Sequence, residues 1–330
     1  MELRRIERAF PRRIREWLAA IDRVRAMYRA HSGREPSIFR PGRFSEKMQW
    51  RKLFDLNPLF AVFCDKYESH RYVEERLGPD MQAKIYFIGD DPEAVPFDTL
   101  PRPFVLKSTH ACEHVVVVKP GDVIDQAALR GKMREWLSVN HGSKMMEPGY
   151  ENIRRRLIVE AFLGDPDGTP FQERKIFCFD GKARFVESVV VTGPERERRT
   201  QFHTADWTRL YWKTSRDPYA GVLDRPPRLA DMIATAEGLA TGLDYLRVDF
   251  YDGGDRFWVG EVTPYSWSGL VNFTPDEADT VLGCAWRLRA KHYRAAFAIL
   301  FRHRRILPPA RAEASARAVP TPVTTAVAAN

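Results

Sequence analysis

Two strand-like segments joined by a glycine-containing turn constrain the fold of this chain more than any other feature. The first segment covers residues 246–251 (LRVDFY) and the second covers residues 257–263 (FWVGEVT), with Gly253 and Gly254 between them. Strand-forming residues on both sides of such a turn predict a β-hairpin.

The length of the turn decides how the two strands face each other. A three-residue loop at 254–256 would pair Gly253 with Phe257 and set Asp249 opposite Glu261. A two-residue loop would put the two acids on opposite faces, because a shift of one residue reverses every side chain. We favour the three-residue loop and expect the two carboxylates to face each other.

Paired carboxylates on a hairpin of apolar residues predict a metal site. Magnesium prefers hard oxygen ligands and is commonly held by one or two carboxylates together with the phosphates of a nucleotide. Burying Asp249 and Glu261 among Val, Phe and Trp is costly without a compensating partner, which favours a functional role over a structural salt bridge. Arg247 shares a strand face with Asp249, where it would reach the same phosphates or form an ion pair with Asp249.

Length and composition indicate a globular protein. With 330 residues, 44% of them apolar, the chain can bury a large core, and its length favours about two domains. No run of about 18 apolar residues and no secretory signal occurs, so we expect a cytoplasmic protein. The cysteines are widely spaced, which indicates reduced thiols rather than a zinc ribbon or a disulfide framework. They are Cys64, Cys112, Cys178 and Cys284.

The net charge of +8 is concentrated at the two ends of the chain. Residues 1–40 carry 11 Arg and 5 acids, residues 283–330 carry 9 basic residues and 1 acid, and residues 41–282 have a net charge of −6. A nucleic-acid enzyme more often places basic charge around its site, so this distribution argues against a nucleic-acid partner. Basic charge concentrated at the ends of a chain is typical of segments that dock a protein on a partner.

Both ends contain basic amphipathic segments. The second runs from Trp286 to Ile306 within residues 283–307, and residues 308–330 are predicted to be disordered. These segments would either lie on an anionic membrane at its cytoplasmic face or pack on the body of the protein, which is the commoner arrangement. In the first segment, apolar residues recur at helical spacing and Pro11 is a predicted break: Leu3, Ile6, Phe10, Ile14, Trp17, Leu18, Ile21 and Val24.

The rest of the chain shows an α+β pattern with antiparallel hairpins. Residues 44–77 are predicted to be mostly helical. The predicted strands are 103–107, 115–119, 156–162, 175–179 and 183–191, and further helices are predicted at 123–139 and 229–241.

The loop after the predicted strand at 103–107 has two interpretations. Lys107 followed by loop amides is an arrangement that binds phosphate, although a lysine at a strand end is often merely solvated. Residues 110–114 (HACEH) also match the H-x-x-E-H pattern of inverted zinc peptidases, which requires a helix. The β-rich runs on both sides predict strands, so we favour phosphate over zinc.

Other charged and aromatic residues are candidates for ligand contacts. Glu160, Glu173 and Lys175 would meet the ribose or amino group of a nucleotide and its phosphates, or would lie on the surface, as single charged residues usually do. A set of aromatic residues would either stack on sugar rings or belong to the core. These are Trp207, Tyr211, Trp212, Tyr265, Trp267 and Phe273.

Taken in order, six stretches resemble the TupA-like (teichuronopeptide-biosynthesis) branch of the ATP-grasp superfamily, which is found among surface-polysaccharide genes. The stretches are residues 44–50 (FSEKMQW), 65–67 (DKY), 104–110 (FVLKSTH), 175–182 (KIFCFDGK), 247–251 (RVDFY) and 260–263 (GEVT). The resemblance extends from about Phe44 to Asp279, and the stretches are specific as a set.

The resemblance implies an α+β ATP-grasp fold in which two α+β lobes clamp a nucleotide. A helical region at 41–102 would precede a small nucleotide-binding lobe at 103–160 and a large lobe with the metal site at 161–282. The implied cofactors are ATP and Mg²⁺. The implied nucleotide ligands are Lys107, Ser108, Thr109, His110, Glu160 and Lys175, the implied metal ligands are Asp249, Glu261 and Thr263, and the implied catalytic residues are Arg247 and Lys175.

The implied reaction makes an acyl phosphate from a carboxylate and ATP, after which an amine attacks to form an amide. The implied partners are an amino acid or amine and a uronic-acid-containing glycan or its lipid-linked precursor. Two positions depart from the family pattern: residues 111–114 (ACEH) lack the usual glycines, and Thr263 replaces the Asn of many relatives. The alternatives are a glycan- or nucleotide-binding protein without turnover and a polysaccharide transferase.

Overall fold

The computed structural model describes residues 12–139, 141–165, 168–193 and 197–288. The predictions for Leu3, Ile6, Phe10, Pro11, the side chain of Ile14 and residues 289–330 lie outside the described residues. The described helices are α1 (Arg12–Ser32), α2 (Phe44–Phe54), α3 (Leu59–Cys64), α4 (Lys66–Leu77), α5 (Gln126–Ser138), α6 (His141–Met145), α7 (Leu229–Leu239) and α8 (Glu277–Ala285).

A four-stranded antiparallel sheet, called the small sheet, comes first along the chain. Its strands are β1 (Ile85–Gly89), β2 (Phe104–Ser108), β3 (Val115–Val118) and β4 (Leu157–Ala161), in the order β1-β4-β2-β3. Helix α5 covers one face, where its Met133 and Trp136 pack in a cluster with Phe104, Leu106 and Val159. Lys107 lies on the other face, because side chains alternate along a strand.

A six-stranded antiparallel sheet, called the large sheet, follows. Its strands are β5 (Gln172–Phe179), β6 (Lys182–Thr192), β7 (Glu197–Thr204), β8 (Arg209–Leu210), β9 (Tyr245–Asp252) and β10 (Phe257–Thr263), in the order β10-β9-β5-β6-β7-β8. Helix α7 contacts β5, β6 and β9 and contributes Met232 and Ala236 to the main hydrophobic core. Helix α7 thus covers one face of the large sheet, and the side chains on the opposite face remain available for a site.

The predicted elements in the middle of the chain are largely confirmed. The region 44–77 contains three helices, and the predicted strands and helices at 103–107, 115–119 and 123–139 differ from the observed ones by three residues or fewer. Strands β1, β7 and β8 and helices α6 and α8 were not predicted. A basic helix was expected from Trp286 onward. Its first three residues, 286–288, are not helical, and α8 ends before them at Ala285.

The predicted hairpin is β9–β10, but its turn is the shorter alternative. The Gly253 N–H donates to the Arg256 carbonyl at 2.9 Å, which closes a two-residue loop, so the three-residue prediction was wrong. The two acids nevertheless face each other: Val259 pairs with Phe250, and then Glu261 pairs with Asp249. Gly260 is thus the extra residue of a β-bulge, which corrects the register by one position.

Helix α1 packs on the body of the protein. Ile21, Val24 and Tyr28 are buried, and the Trp17 ring lies 5.7 Å from that of Phe54 on α2. The apolar side of α1 over these residues is therefore occupied, which matches the packed alternative for this segment. Among the described residues, no helix combines the length and apolar character needed to cross a membrane. No disulfide links the four cysteines.

Arg51 on α2 holds both ends of the β9–β10 hairpin. It is fully buried, and its guanidinium donates to the carbonyls of Tyr245 at 3.1 Å and Pro264 at 3.0 Å. It also forms an ion pair with Asp244 and lies 4.5 Å from the centre of the Trp286 ring. One side chain therefore fixes the start of β9 and the segment that follows β10.

We expect Arg51→Met to destabilise the protein by about 3–5 kcal/mol, because it leaves the Asp244 carboxylate buried without its cation. Arg71→Met is the matched control, since Arg71 is exposed and its pairs with Glu68 and Glu75 contribute at most about 1 kcal/mol. Urea unfolding of both variants measures the difference. Equal losses in the two variants would contradict this role of Arg51.

Candidate functional site

A cavity of about 780 Å³ lies between the small and large sheets. This volume is within the usual range of ligand pockets. Its wall contains the basic residues Lys66, Lys107, Lys119, Lys144, Lys175, Arg198, Arg216 and Arg247 and the acidic residues Glu113, Glu147, Glu160, Glu173, Asp249 and Glu261. The excess of cations and the pairing of opposite charges suit a ligand that carries both phosphates and a metal ion.

A row of charged side chains crosses the large sheet below the cavity, and its members Glu261, Asp249 and Lys175 form the cavity floor. Glu261 on β10 pairs with Asp249 on β9, Asp249 pairs with Lys175 on β5, and Lys175 pairs with Glu187 on β6. Cross-strand partners point to the same face of a sheet. The pairing of four neighbouring strands therefore brings together acids and a base that are far apart in the sequence.

Asp249 is held by two cations. Arg247 donates to both of its oxygens at 2.7 and 2.8 Å, and the Lys175 Nζ donates to one of them at 2.6 Å. Burial lowers the pKa values of Arg247 and Lys175, but the acidic neighbours together, with Asp249 first among them, outweigh burial and raise both pKa values. The predicted ion pair between Arg247 and Asp249 is thus present, and both predicted catalytic cations reach the cavity.

The three predicted metal ligands offer hard oxygens on one face. Glu261 is exposed to the cavity and has no hydrogen bond or ion pair within the described part of the chain. The Thr263 hydroxyl is buried and lacks a hydrogen-bond partner among the described groups. Thr263 pairs with Arg247 and lies two residues from Glu261, so its oxygen is on the Asp249 side of the sheet. This donor set fits Mg²⁺.

Lys107 and Glu160 face the cavity from the small sheet. Glu160 pairs with Val105, two residues before Lys107, so the two charged side chains are diagonal neighbours on one face, and they form an ion pair. Burial opposes the charge of Lys107, but Glu160 outweighs it and raises the lysine pKa. Both predicted nucleotide ligands therefore line the cavity.

Three other predicted nucleotide ligands have buried side chains that do not line the cavity. Ser108 follows Lys107 on the strand and points to the opposite face, where its hydroxyl meets Nδ1 of His114 at 2.9 Å. The Thr109 hydroxyl donates to the Arg154 carbonyl at 3.2 Å. His110 Nε2 bonds the Trp136 carbonyl at 3.0 Å, and burial lowers the His110 pKa to about 4, so it is a neutral donor. These side chains support the loop.

Lys66 was not predicted as a site residue, and it fixes the glycine-free loop. Its backbone N–H donates to the Thr109 carbonyl at 3.0 Å, and its ammonium donates to the Ala111 carbonyl. The Asp65 carboxylate accepts from the N–H groups of Tyr67 and Glu68, so it starts α4 and places Lys66 at the first helical position. The DKY stretch was the sequence signal for this position.

Two further acids lie beside Lys175: Glu173 lines the cavity, whereas Glu187 is the buried cross-strand partner of Lys175 and does not line the cavity. Burial raises the Glu173 pKa, but Lys175 at 3.0 Å and Arg198 outweigh burial and lower it to about 2. Glu187 is fully buried, and neither of its oxygens has a hydrogen-bond partner among the described groups. Burial raises the Glu187 pKa against the opposing charges of Lys175 and Arg247. Glu187 was not predicted, because only strand pairing reveals it.

Most of the aromatic set belongs to the core. Tyr265 and Phe273 are buried, and Trp207 and Trp212 pack against the main cluster, whereas Tyr211 is 79% exposed. Trp267 and Tyr265 are the two members of the set that line the cavity. The interpretation as a broad sugar-stacking surface is therefore reduced to these two residues.

Comparison with known proteins identifies the family. The model of a family described as TupA-like ATPgrasp matches residues 46–286, which is most of the chain. The matched range contains all of the residues that line the cavity. A search of curated proteins finds no match.

Solved structures similar to this chain include two ligases and a synthetase at low identity. D-alanine–D-alanine ligase from Bacillus anthracis complexed with ATP is 15% identical, over 61% of this chain and 55% of that chain, with a TM-score of 0.39. The ATP-grasp ligase PsnB complexed with minimal precursor is 12% identical, over 74% and 62%, with a TM-score of 0.39. The ADP complex of PurK, N5-carboxyaminoimidazole ribonucleotide synthetase, is 14% identical, over 67% and 50%, with a TM-score of 0.41. This chain therefore spans less than two thirds of each of these chains.

Cysteine alkylation tests which ligand enters the cavity. Cys112 is exposed and lines the cavity, whereas Cys284 is exposed outside it. We expect Mg²⁺ with a non-hydrolysable ATP analogue to slow alkylation of Cys112 and leave Cys284 unchanged, because a bound triphosphate covers the loop. The surrounding cavity wall partly desolvates the Cys112 thiol and raises its pKa, so the reaction is best followed by mass spectrometry at mildly alkaline pH. Equal rates at Cys112 with and without the analogue would contradict a nucleotide at this loop.

Proposed function

We propose that this chain, which belongs to the TupA-like ATP-grasp family, is an ATP-dependent ligase that joins a carboxylate to an amine through an acyl phosphate. The observation that carries the proposal is the convergence of Lys107 from the small sheet with Lys175, Asp249 and Glu261 from the large sheet on one cavity. Phosphoryl transfer depends mainly on positioning and charge neutralisation, and this set supplies both.

The side chains divide into nucleotide and metal ligands. Lys107 and Lys175 would neutralise phosphate oxygens, and Glu160, which now pairs with Lys107, would accept from the ribose or adenine. Asp249, Glu261 and Thr263 would hold Mg²⁺, which when bound neutralises the phosphates and orients them for transfer. In the proposed state, the cations that now contact Asp249 turn to the phosphates.

Two transfer steps follow from this arrangement. A substrate carboxylate oxygen attacks the terminal phosphorus of ATP, forms an acyl phosphate and releases ADP. An amine then attacks the acyl carbon, the carbon–oxygen bond to phosphate breaks, and an amide results. Arg247 lies on the face shared by Asp249 and Thr263, where its planar guanidinium would stabilise negative charge on the transferred group.

We infer a uronic-acid-containing glycan, or its lipid-linked precursor, as one substrate and an amino acid or amine as the other. The resemblance to a family found among surface-polysaccharide genes supports this choice. Trp267 lines the cavity and lies 5.6 Å from the Arg247 guanidinium, so a sugar ring and its carboxylate would find an aromatic face beside a cation.

We infer that the basic ends bring the protein to an anionic membrane surface where such precursors reside. The net charges of +6 and +8 on residues 1–40 and 283–330 support electrostatic attachment. The buried Ile21 and Val24 of α1 argue against insertion of that apolar face. Attachment would therefore be salt-sensitive.

Asp249→Asn tests the metal and nucleotide assignment. We expect Mg²⁺ to strengthen binding of a non-hydrolysable ATP analogue to the native protein and to have no such effect in the variant, because the variant lacks a charged oxygen ligand. Isothermal titration with and without Mg²⁺ measures the difference.

The control is Asp255→Asn, which changes an acid in the exposed turn of the same hairpin. It should bind as the native protein does. Retained Mg²⁺ dependence in Asp249→Asn would contradict the metal assignment, and no binding by the native protein would favour a glycan-binding protein without turnover.

Vesicle flotation tests the attachment. We expect the full chain to float with vesicles rich in anionic lipid and to be released by salt. Replacing Arg4, Arg5 and Arg8 with Gln lowers the net charge of residues 1–40 from +6 to +3 and should weaken flotation, since each basic residue near the surface contributes about 1 kcal/mol. These substitutions leave the buried Ile21, Val24 and Tyr28 of α1 in place. Flotation that is independent of anionic lipid would exclude the electrostatic mechanism.

A further inference from the structure

A buried chain of three polar side chains ends at the cavity wall, and the proposed roles do not use it. Lys52 on α2 and Glu147, in the segment after α6, are each only 3% exposed. Ser268 lies between them. Glu147 and Ser268 line the cavity, whereas Lys52 does not.

Hydrogen bonds connect the three groups in a definite direction. The Lys52 ammonium donates to the Ser268 hydroxyl at 2.6 Å. The Ser268 hydroxyl also acts on the Glu147 carboxylate, whose pKa it lowers by hydrogen bonding. An ammonium has no acceptor, so the serine must accept from Lys52 and donate its own proton to Glu147. One Glu147 oxygen is thereby occupied, and a carboxylate has further lone pairs for another donor.

The backbone around Ser268 is held in an unusual conformation. Trp267, Ser268 and Gly269 have φ values of 50°, 56° and 61°, the left-handed region that is costly for residues other than glycine. Gln49 on α2 donates to the carbonyls of Ser268 at 3.1 Å and Gly269 at 3.0 Å. A Cβ at Gly269 would lie 2.5 Å from the Cβ of Met48. Helix α2 thus positions the serine hydroxyl.

Glu147 shares the cavity with a proposed metal ligand and with the loop after β2. The metal ligand is Glu261 and the loop residue is Cys112, and both line the same cavity as Glu147. An acyl group on a terminal phosphate held in this cavity would therefore share the space that Glu147 faces. The charged and titratable groups that face Glu147 are Lys52, Cys64, Cys112, Tyr150, Glu261 and Tyr265.

Of the other acids of the cavity, Glu113 is exposed on the loop after β2, and the rest are already committed. Asp249 accepts from Arg247 and Lys175, and Glu173 and Glu160 are paired with cations. Glu261 is the exposed metal ligand of the proposal. Glu147 differs because the Ser268 hydroxyl stands between it and Lys52. It forms no ion pair within 4 Å among the described residues.

Burial gives Glu147 the properties of a base that works near neutral pH. Burial raises the Glu147 pKa, the Lys52 charge and the Ser268 hydroxyl oppose this rise, and the Glu261 charge adds to it. A carboxylate with a raised pKa is a stronger base than an ordinary glutamate and matches proton transfer near neutrality. The Lys52 pKa is lowered by burial, against the charge of Glu147.

We propose that Glu147 is the general base that takes a proton from the acceptor amine, with Ser268 and Lys52 as the residues that position it. This inference rests on the proposed ligase function and specifies its second step. The acceptor is then a primary amine that arrives as an ammonium ion, for which a buried carboxylate is a complementary partner.

In the second step, the acceptor amine loses two protons and displaces phosphate. The ammonium gives one proton to the free oxygen of the Glu147 carboxylate, and the neutral nitrogen attacks the acyl carbon. The carbon–nitrogen bond forms, the carbon–oxygen bond to phosphate breaks, and the nitrogen gives its second proton to the departing phosphate. Glu147 then releases its proton to solvent through the cavity.

Glu147→Gln tests the proposal because it keeps the shape and removes the base. Native and variant protein are given ATP, Mg²⁺ and oligomers of glucuronic acid, with either hydroxylamine or a mixture of the common amino acids as nucleophile. Hydroxylamine is already neutral near neutral pH and needs no base. We expect equal hydroxamate formation by the two proteins and a loss of about 10²–10⁴-fold in amide formation by the variant near neutral pH.

The pH profile distinguishes catalysis from a structural role. Amide formation by the native protein should rise with pH as the Glu147 carboxylate forms, and the deficit of the variant should shrink as the amine loses its proton in alkaline solution. Ser268→Gly suits the positive φ and removes the hydrogen bond that lowers the Glu147 pKa. It should shift the rise in rate to higher pH. Glu151→Gln, in the same segment but exposed, is the control and should behave as the native protein.

Each outcome decides between the two proposals. Equal amide formation by native protein and Glu147→Gln at every pH would overturn the role of Glu147 and leave the ligase function standing. Loss of hydroxamate and amide together in Glu147→Gln would show a structural role and overturn the proposal. Absence of hydroxamate with the native protein would overturn ligation of uronic acids, and with it the inference.

Discussion

The buried guanidinium of Arg51 is the interaction on which the site depends. It binds the carbonyls at the start of β9 and after β10, and it pairs with Asp244. A buried ion pair adds little net stability but is very costly to break, so its main effect is to exclude other arrangements. Because α2 also supplies Gln49 and Lys52 to the Ser268 turn, one helix aligns the hairpin, the turn and the proposed base.

The charges on the floor explain how such a site exists without its ligand. Asp249 would be costly as an isolated buried anion, and Arg247 with Lys175 would be costly as buried cations. Their mutual contacts satisfy both signs. A bound metal ion can replace Arg247 and Lys175 as the positive charge beside Asp249, and phosphates can replace Asp249 as the negative charge beside the two cations. No charge is then left uncompensated. The site is thus stable in both proposed states.

The sequence predicted local features better than long-range ones. The pairing of Asp249 with Glu261 was expected, yet from a three-residue turn, because a bulge at Gly260 has no distinct local signature. Strand alternation would have turned Ser108 away from the cavity, but the resemblance was carried over to the whole stretch. Lys66, Glu187 and Glu147 were missed, since their positions depend on contacts between segments distant in the sequence.

The glycine-free loop is best understood through its support. Glycines allow a loop backbone to approach phosphate, but they also leave it with many conformations in the absence of ligand. Here Lys66 binds the loop at two carbonyls, and Cys112 contacts the Tyr150 hydroxyl at 3.5 Å. A loop held in this way loses less entropy when a ligand binds, which offsets part of the closer approach that glycines would allow. Glu113 lines the cavity in the same loop and is exposed, so its side chain is free to turn away from a bound phosphate. The absence of glycine is therefore compatible with nucleotide binding.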